Sequence, residues 1–168
     1  LVSGGVVDVT ATHDGFNAAG GAASPASNGP RGNDAFAVDT TKSLVISGGT
    51  ITVNAEGDGL DSNGTLTVSG GTIYISGPTN SGNGALDSGS TAVITGGTVV
   101  AAGSAGMAQA FDESSSQATL SYTFTAEQQA GTTITLKDAS GNVIATYAPE
   151  QVYQNVVISA SGLTVGES

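Results

Sequence analysis

Acidic and amide side chains recur in this sequence at a regular interval. Asn17, Asp39, Asp61, Asp87 and Asp112 each follow an apolar residue, namely Phe16, Val38, Leu60, Leu86 and Phe111, at steps of 22, 22, 26 and 25 residues. Asp14 and Asp58 lie three residues before Asn17 and Asp61, and Asp34 lies five before Asp39, where it is expected to be the equivalent acid of its own repeat. If the repeats stack as neighbouring β-strands do, carboxylates in register stand about 4.8 Å apart and repel by about 1 kcal/mol per pair even in bulk water. Calcium relieves such repulsion. It takes carboxylate, amide and carbonyl oxygens at about 2.3–2.6 Å, so one ion between two stacked carboxylates spans about the rise of one repeat. The bend from Gly57 to Gly64 concentrates Asp58, Asp61 and Asn63. The expected cofactor is therefore Ca2+, with Asp14, Asn17, Asp34, Asp39, Asp58, Asp61, Asn63 and Asp87 as candidate ligands. Plain solvated turns compete with this reading, because Asp and Asn favour bends for local hydrogen-bonding reasons. Neither an EF-hand spacing nor a Gly-Asp nonapeptide is present, so the metal signal rests on stacking alone.

Other reactive side chains are few. His13 is the only histidine and sits beside Asp14, with no serine or cysteine partner identifiable, so it reads as a surface polar group rather than a base. Lys42, three residues after Asp39, fits two roles: a proton-abstracting base beside calcium in a lyase, or a counter-charge to the acids. Tyr74, expected to point outward, offers a ring face to a sugar, and Lys42 and Arg31 are the other candidate carbohydrate contacts. Asn63-Gly64-Thr65 matches a glycosylation sequon but reads as a turn. The fourteen acidic and three basic side chains give a net charge of -11, which repels polyphosphate and excludes nucleic acid as a partner. With no Cys and no Trp, thiolate metal sites, disulfide frameworks, cysteine catalysis and indole sugar platforms are excluded too. No run of about 18 apolar residues reads as a membrane span, and no signal peptide is visible.

The elements that position these residues follow from a second repeat. Ser47-Gly48-Gly49-Thr50-Ile51-Thr52-Val53 recurs at Ser69–Ile75 and Thr95–Ala101, with an earlier copy at Ser3–Val9. Each repeat holds two short stretches of period-2 alternation broken by Gly-Gly, too short to bury a face alone, and stacking in parallel buries them. The predicted fold is all-β: a right-handed parallel β-helix of about 22-residue coils, closed by a C-terminal antiparallel β cap. Leu44, Ile46, Ile51 and Val53 are expected inward under Leu66, Val68, Ile73 and Ile75, with Thr52, Tyr74 and Val100 forming an outward column. A leucine-rich repeat is disfavoured because its L-x-x-L-x-L pattern is missing. Residues 1–118 are assigned to coils, with 18–32 either a loop or a degenerate coil, and 119–168 to the cap, with Ser140-Gly141-Asn142 as a hairpin turn. The chain reads as one domain. It begins inside a repeat and is expected to be a piece of a longer protein.

The stretch from Gly57 to Gly89, GDGLDSNGTLTVSGGTIYISGPTNSGNGALDSG, with GMAQA at 106–110 and the segment from Ala139 to Ala160, resembles secreted bacterial carbohydrate-binding domains of the clostridial pectin-binding type. The resemblance covers nearly the whole chain. It implies a right-handed parallel β-helix, calcium, an acidic plant polysaccharide as partner, and an extracellular or cell-surface location. It places the family's acidic bends on Asp14, Asp58, Asp61 and Asn63, and the acid of a later coil on Asp87; the corresponding acid at Gly84 is absent, so a third equivalent calcium site is not implied. The resulting functional expectation is a non-catalytic module that binds polygalacturonate or pectin, with cellulose a further candidate. A pectate-lyase-like enzyme and a structural surface adhesin repeat are the alternatives. Charge supports a cation-bridged contact independently, since a chain of charge -11 repels a polyuronate.

Overall fold

The computed structural model describes residues 1–18 and 38–164. Among these the chain is all-β, with twelve strands and no helix, arranged in mixed sheets. Strands β1 (Val2–Ala11), β3 (Ser43–Ala55), β5 (Thr65–Ser76) and β8 (Thr98–Gly103) lie side by side in parallel, and β7 (Ala92–Ile94) also pairs with β5. A second parallel sheet holds the short strands β2 (Phe16–Asn17), β4 (Leu60–Ser62) and β6 (Leu86–Ser88).

The 22-residue step sets the register. Leu44 pairs with Leu66, Ile46 with Val68, Ile51 with Ile73 and Val53 with Ile75. All eight side chains are buried, as their alternation predicts, and Leu60 and Leu86 of the second sheet join them in one core. Burying side chains of this size contributes about 1.5–3 kcal/mol each. The Gly-Gly pairs divide their work. The second glycine takes a left-handed conformation, φ +101° at Gly49 and +95° at both Gly71 and Gly97, next to a shift of register that only Gly adopts without strain. The first permits close stacking, because a Cβ on Gly48, Gly70 or Gly96 would stand 2.8, 2.6 or 2.8 Å from the carbonyl oxygen of Ser3, Ser47 or Ser69 in the strand alongside.

At the C-terminal end the direction reverses. Strand β12 (Tyr153–Ser159) runs antiparallel to β8, with β9 (Thr119–Gln128) antiparallel on its other side. The hairpin of β10 (Ile134–Lys137) and β11 (Val143–Tyr147) turns where expected, with Gly141 at φ +85° and Asp138 N–H donating to Asn142 O at 2.9 Å. Val157 of β12 reaches the main core, while Val156 and Ile158 join a second apolar cluster with Ile134, Ala145 and Tyr153.

Two expectations are corrected. Thr52, Tyr74 and Val100 do form a column, but Val100 is fully buried in the second cluster and Tyr74 packs against it, because the C-terminal segment covers that face of the sheet. Asp39 was expected in the same acid ladder as Asn17, Asp61 and Asp87. Instead β1 pairs directly with β3, and Phe16 and Asn17 pair directly with Leu60 and Asp61, so Asp39 does not stand between Asn17 and Asp61. The question of a loop or coil at 18–32 falls, from residue 19 on, outside the described residues.

Candidate functional site

Chemistry gathers where each long strand bends towards its short partner. The bend at 12–15 follows β1, that at 56–59 follows β3, and that at 77–85 follows β5. Backbone hydrogen bonds tie them together: Gly57 N–H donates to His13 O at 3.0 Å, Gly15 N–H to Asp58 O at 2.8 Å and Gly59 N–H to Gly84 O at 3.2 Å. The bends can lie this close because Gly15, Gly57 and Gly59 carry no side chain; a Cβ on Gly57 would collide with the Asp14 carboxylate, and one on Gly59 with the Ala85 carbonyl.

Carboxylates brace the same contacts. Asp14 Oδ1 accepts the N–H of Asp58 at 3.0 Å, and Asp58 Oδ1 accepts that of Gly84 at 2.7 Å. Gly84 is thus the next position of the series, and its lack of an acid has a steric cause: a Cβ there would lie 2.5 Å from Met107 O and 2.8 Å from Leu86 O.

Asp14, Asp58 and Asp61 each offer a carboxylate oxygen, and the three oxygens lie within 4.8 Å of one another. Asn17 joins them through Nδ2, which donates to Asp14 Oδ2 at 2.6 Å. Asp58 and Asp61 are each only 8% exposed. Burial pushes the Asp61 carboxyl up to about 7, aided by the charges of Asp14, Asp58 and Asp87. Burial likewise pushes Asp58 up to about 6 against the Gly84 hydrogen bond, with Asp87 and Asp14 adding repulsion. Asp87 stands beside Asp61 in the β4–β6 register. Among the described residues, every charged group acting on the two buried carboxylates is an acid. An all-oxygen donor set, crowded and without a counter-charge among the described residues, fits a hard divalent cation such as calcium.

The other sequence candidates lie elsewhere. Asp39 serves its own turn: Oδ1 accepts from Thr41 N at 3.0 Å and Thr41 Oγ1 at 2.6 Å, contacts that lower its pKa, and Lys42 Nζ stands 3.6 Å from Oδ2. Asn63 is beside it through the backbone, its carbonyl accepting Asp39 N–H at 2.8 Å. Tyr74 is half-buried and stacked on Tyr147, with centroids 4.9 Å apart and planes at 24°. Asp34 and Arg31 lie outside the described residues.

An open cleft of about 530 Å3 adjoins the acids, lined by residues from all three bends together with Gln151. Sequence reasoning missed Glu56, Asn80, Asn83 and Gln151. The step of 26 instead of 22 residues was a signal for the two asparagines, since the four added residues fall in the third bend. Gln151 had none, because it comes from the non-repeating segment, where its backbone N–H donates to Ser76 Oγ at 2.9 Å and its Nε2 to the carbonyls of Ala55 and Ser76 at 3.0 and 3.2 Å.

Comparison with curated proteins and with solved structures finds no match. A family model described as carbohydrate-binding domain-containing protein matches residues 32–164. With most of its length matched, the chain belongs to that carbohydrate-binding domain family.

Proposed function

We propose that this chain is a non-catalytic, calcium-dependent binding module for acidic polysaccharide of the polygalacturonate or pectin class, acting outside the cell or at its surface. The observation that carries this reading is the cluster of Asp14, Asp58 and Asp61, two of them buried and, among the described residues, subject only to acidic neighbours. Asp14, Asn17, Asp58 and Asp61 would hold the ion, with Asp87 adding negative charge from the adjacent strand. Bound calcium supplies positive charge that carboxylates of protein and glycan can share, which offsets their mutual repulsion. The parallel registers support a right-handed parallel β-helix over residues 1–118, with 119–168 as its cap. A lyase needs a free base near the metal, whereas Lys42 is paired with Asp39.

Calorimetric titration of oligogalacturonate into the protein with calcium, and again with chelator, tests the proposal. Binding is expected only with calcium, and uncharged cello-oligosaccharide is expected to bind more weakly. Equal binding of both sugars in chelator would overturn the cation-bridged reading, and ultraviolet absorbance from unsaturated product growing with protein concentration would establish a lyase instead.

A further inference from the structure

The lengthened bend between β5 and β6 builds a wall that the cation cluster does not need. Its Asn80 is fixed from both ends, Nδ2 donating to Glu56 O at 2.8 Å and Oδ1 accepting Gly82 N–H at 3.1 Å. Asn83 is held through its carbonyl, which accepts from Ser104 Oγ at 2.9 Å. Opposite ends of the chain meet here, because Gln151 is locked onto the ends of β3 and β5. Between these walls lies the open trough of about 530 Å3, and a smaller hollow of about 350 Å3 adjoins it, sharing Thr12, Glu56 and Gln151. Both volumes fall within the roughly 300–1,000 Å3 usual for small-molecule sites.

The lining of the larger trough decides what it suits. Hydroxyls, carboxylates, amides and the His13 imidazole from successive bends line it and, among the described residues, no apolar side chain does, so a flat hydrophobic ligand gains little there. Asp14 and Glu56 make it acidic, so it suits hydroxyls and repels anions such as phosphate, and the carboxylates of an acidic glycan must turn towards the cation cluster at its margin. Closely spaced hydrogen-bond donors and acceptors suit a hydroxyl-rich chain laid across the bends. We propose that this trough is the glycan subsite of the module: sugar hydroxyls bind Thr12, Glu56, Thr79 and Asn83, and Asp14 at its margin joins it to the cation cluster. The inference rests on the functional reading above and adds where, and through which residues, the glycan is held.

The experiment is calorimetric titration of oligogalacturonate, with calcium present, into wild type, Thr79→Trp, Glu56→Gln and a control, Thr125→Trp on exposed β9. Calcium alone is titrated into each protein to confirm a folded metal site. Thr79→Trp fills the trough and is expected to weaken the oligosaccharide about tenfold or more, with Glu56→Gln weaker than wild type in the same direction and Thr125→Trp within about twofold. If wild type binds and both trough variants bind equally well, the trough is not the subsite and the module reading stands. If wild type itself binds no oligogalacturonate, the module reading falls and the subsite with it.

Discussion

Asp58 and Asp61 are held where their charge is least favourable, and pH reports it. Their carboxyls titrate near 6 and 7 in the folded chain and near 3.9 when unfolded, so the folded state binds more protons between those limits. The stabilisation is therefore complete below about pH 4 and is lost as pH rises through 6 to 7. In chelator, the melting temperature is expected to fall between pH 5 and pH 8, a window clear of Asp39 and Asp138, whose pKa values are lowered by Thr41 and Asn142 hydrogen bonds. Asp61→Asn should flatten that fall; melts of the two proteins that decline in parallel would mean the burial of Asp61 has no energetic consequence. Calcium affinity separates the acids further. Asp61→Ala should weaken it about tenfold or more, whereas Asp138→Ala, which removes contacts within its own hairpin turn, should leave it within about twofold. Equal losses by calorimetry would contradict the assigned register. Asp14, Asp58 and Asp61 were legible as a group because a fixed period places residues in layers. Asp39 shared the period but is held in a turn with Thr41, a local choice that spacing does not reveal.

At the scale of strands, most of the parallel register could be read from the repeat, because hydrophobic alternation and Gly-Gly recur together and a one-residue slip would expose every buried side chain. What could not be read was the pairing of β1 with β3 across 44 residues, twice the period, since a repeat with altered composition still occupies its length of chain. The C-terminal strands were predicted as antiparallel, but the burial of Val100 beneath them depends on which face they cover, and alternation within β8 carries no sign of that. The Gly-Gly pairs offer a direct comparison. Gly70→Ala forces a methyl against Ser47 O and is expected to destabilise by about 1–3 kcal/mol. Gly4→Ala, at the same place in its repeat but with nothing within 4 Å, should change stability by less than about 1 kcal/mol. Denaturant melts of both variants check this, and similar midpoints would show that close stacking is not what selects the first glycine.

For the molecule as a whole, the proposed calcium site and the C-terminal segment are expected to act on one folding transition. Calcium at about a hundredfold excess over its Kd is expected to add about 2.7 kcal/mol, which at about 2–4 °C per kcal/mol for a chain of this size would raise the melting temperature by about 5–10 °C. Superimposable melts with calcium and with chelator would rule out the metal site. Ile158→Ala, which empties the second cluster beside Val100 and Tyr153, should cost about 2–5 kcal/mol. Because Val157 of the same strand reaches the main core, that loss should appear as one shifted transition rather than as a separate early unfolding of the C-terminal segment. The third bend shows what this construction permits. Nine residues lie between Ser76 and Leu86 where five lie between Asn54 and Leu60, yet Asn54 still pairs with Ser76 before the bend and Leu60 with Leu86 after it. An insertion is contained where it occurs and is not transmitted to the next layer. Descendants of such a chain can therefore lengthen or rewrite one bend at a time, acquiring new specificities by small heritable edits while the hydrophobic interior remains unchanged.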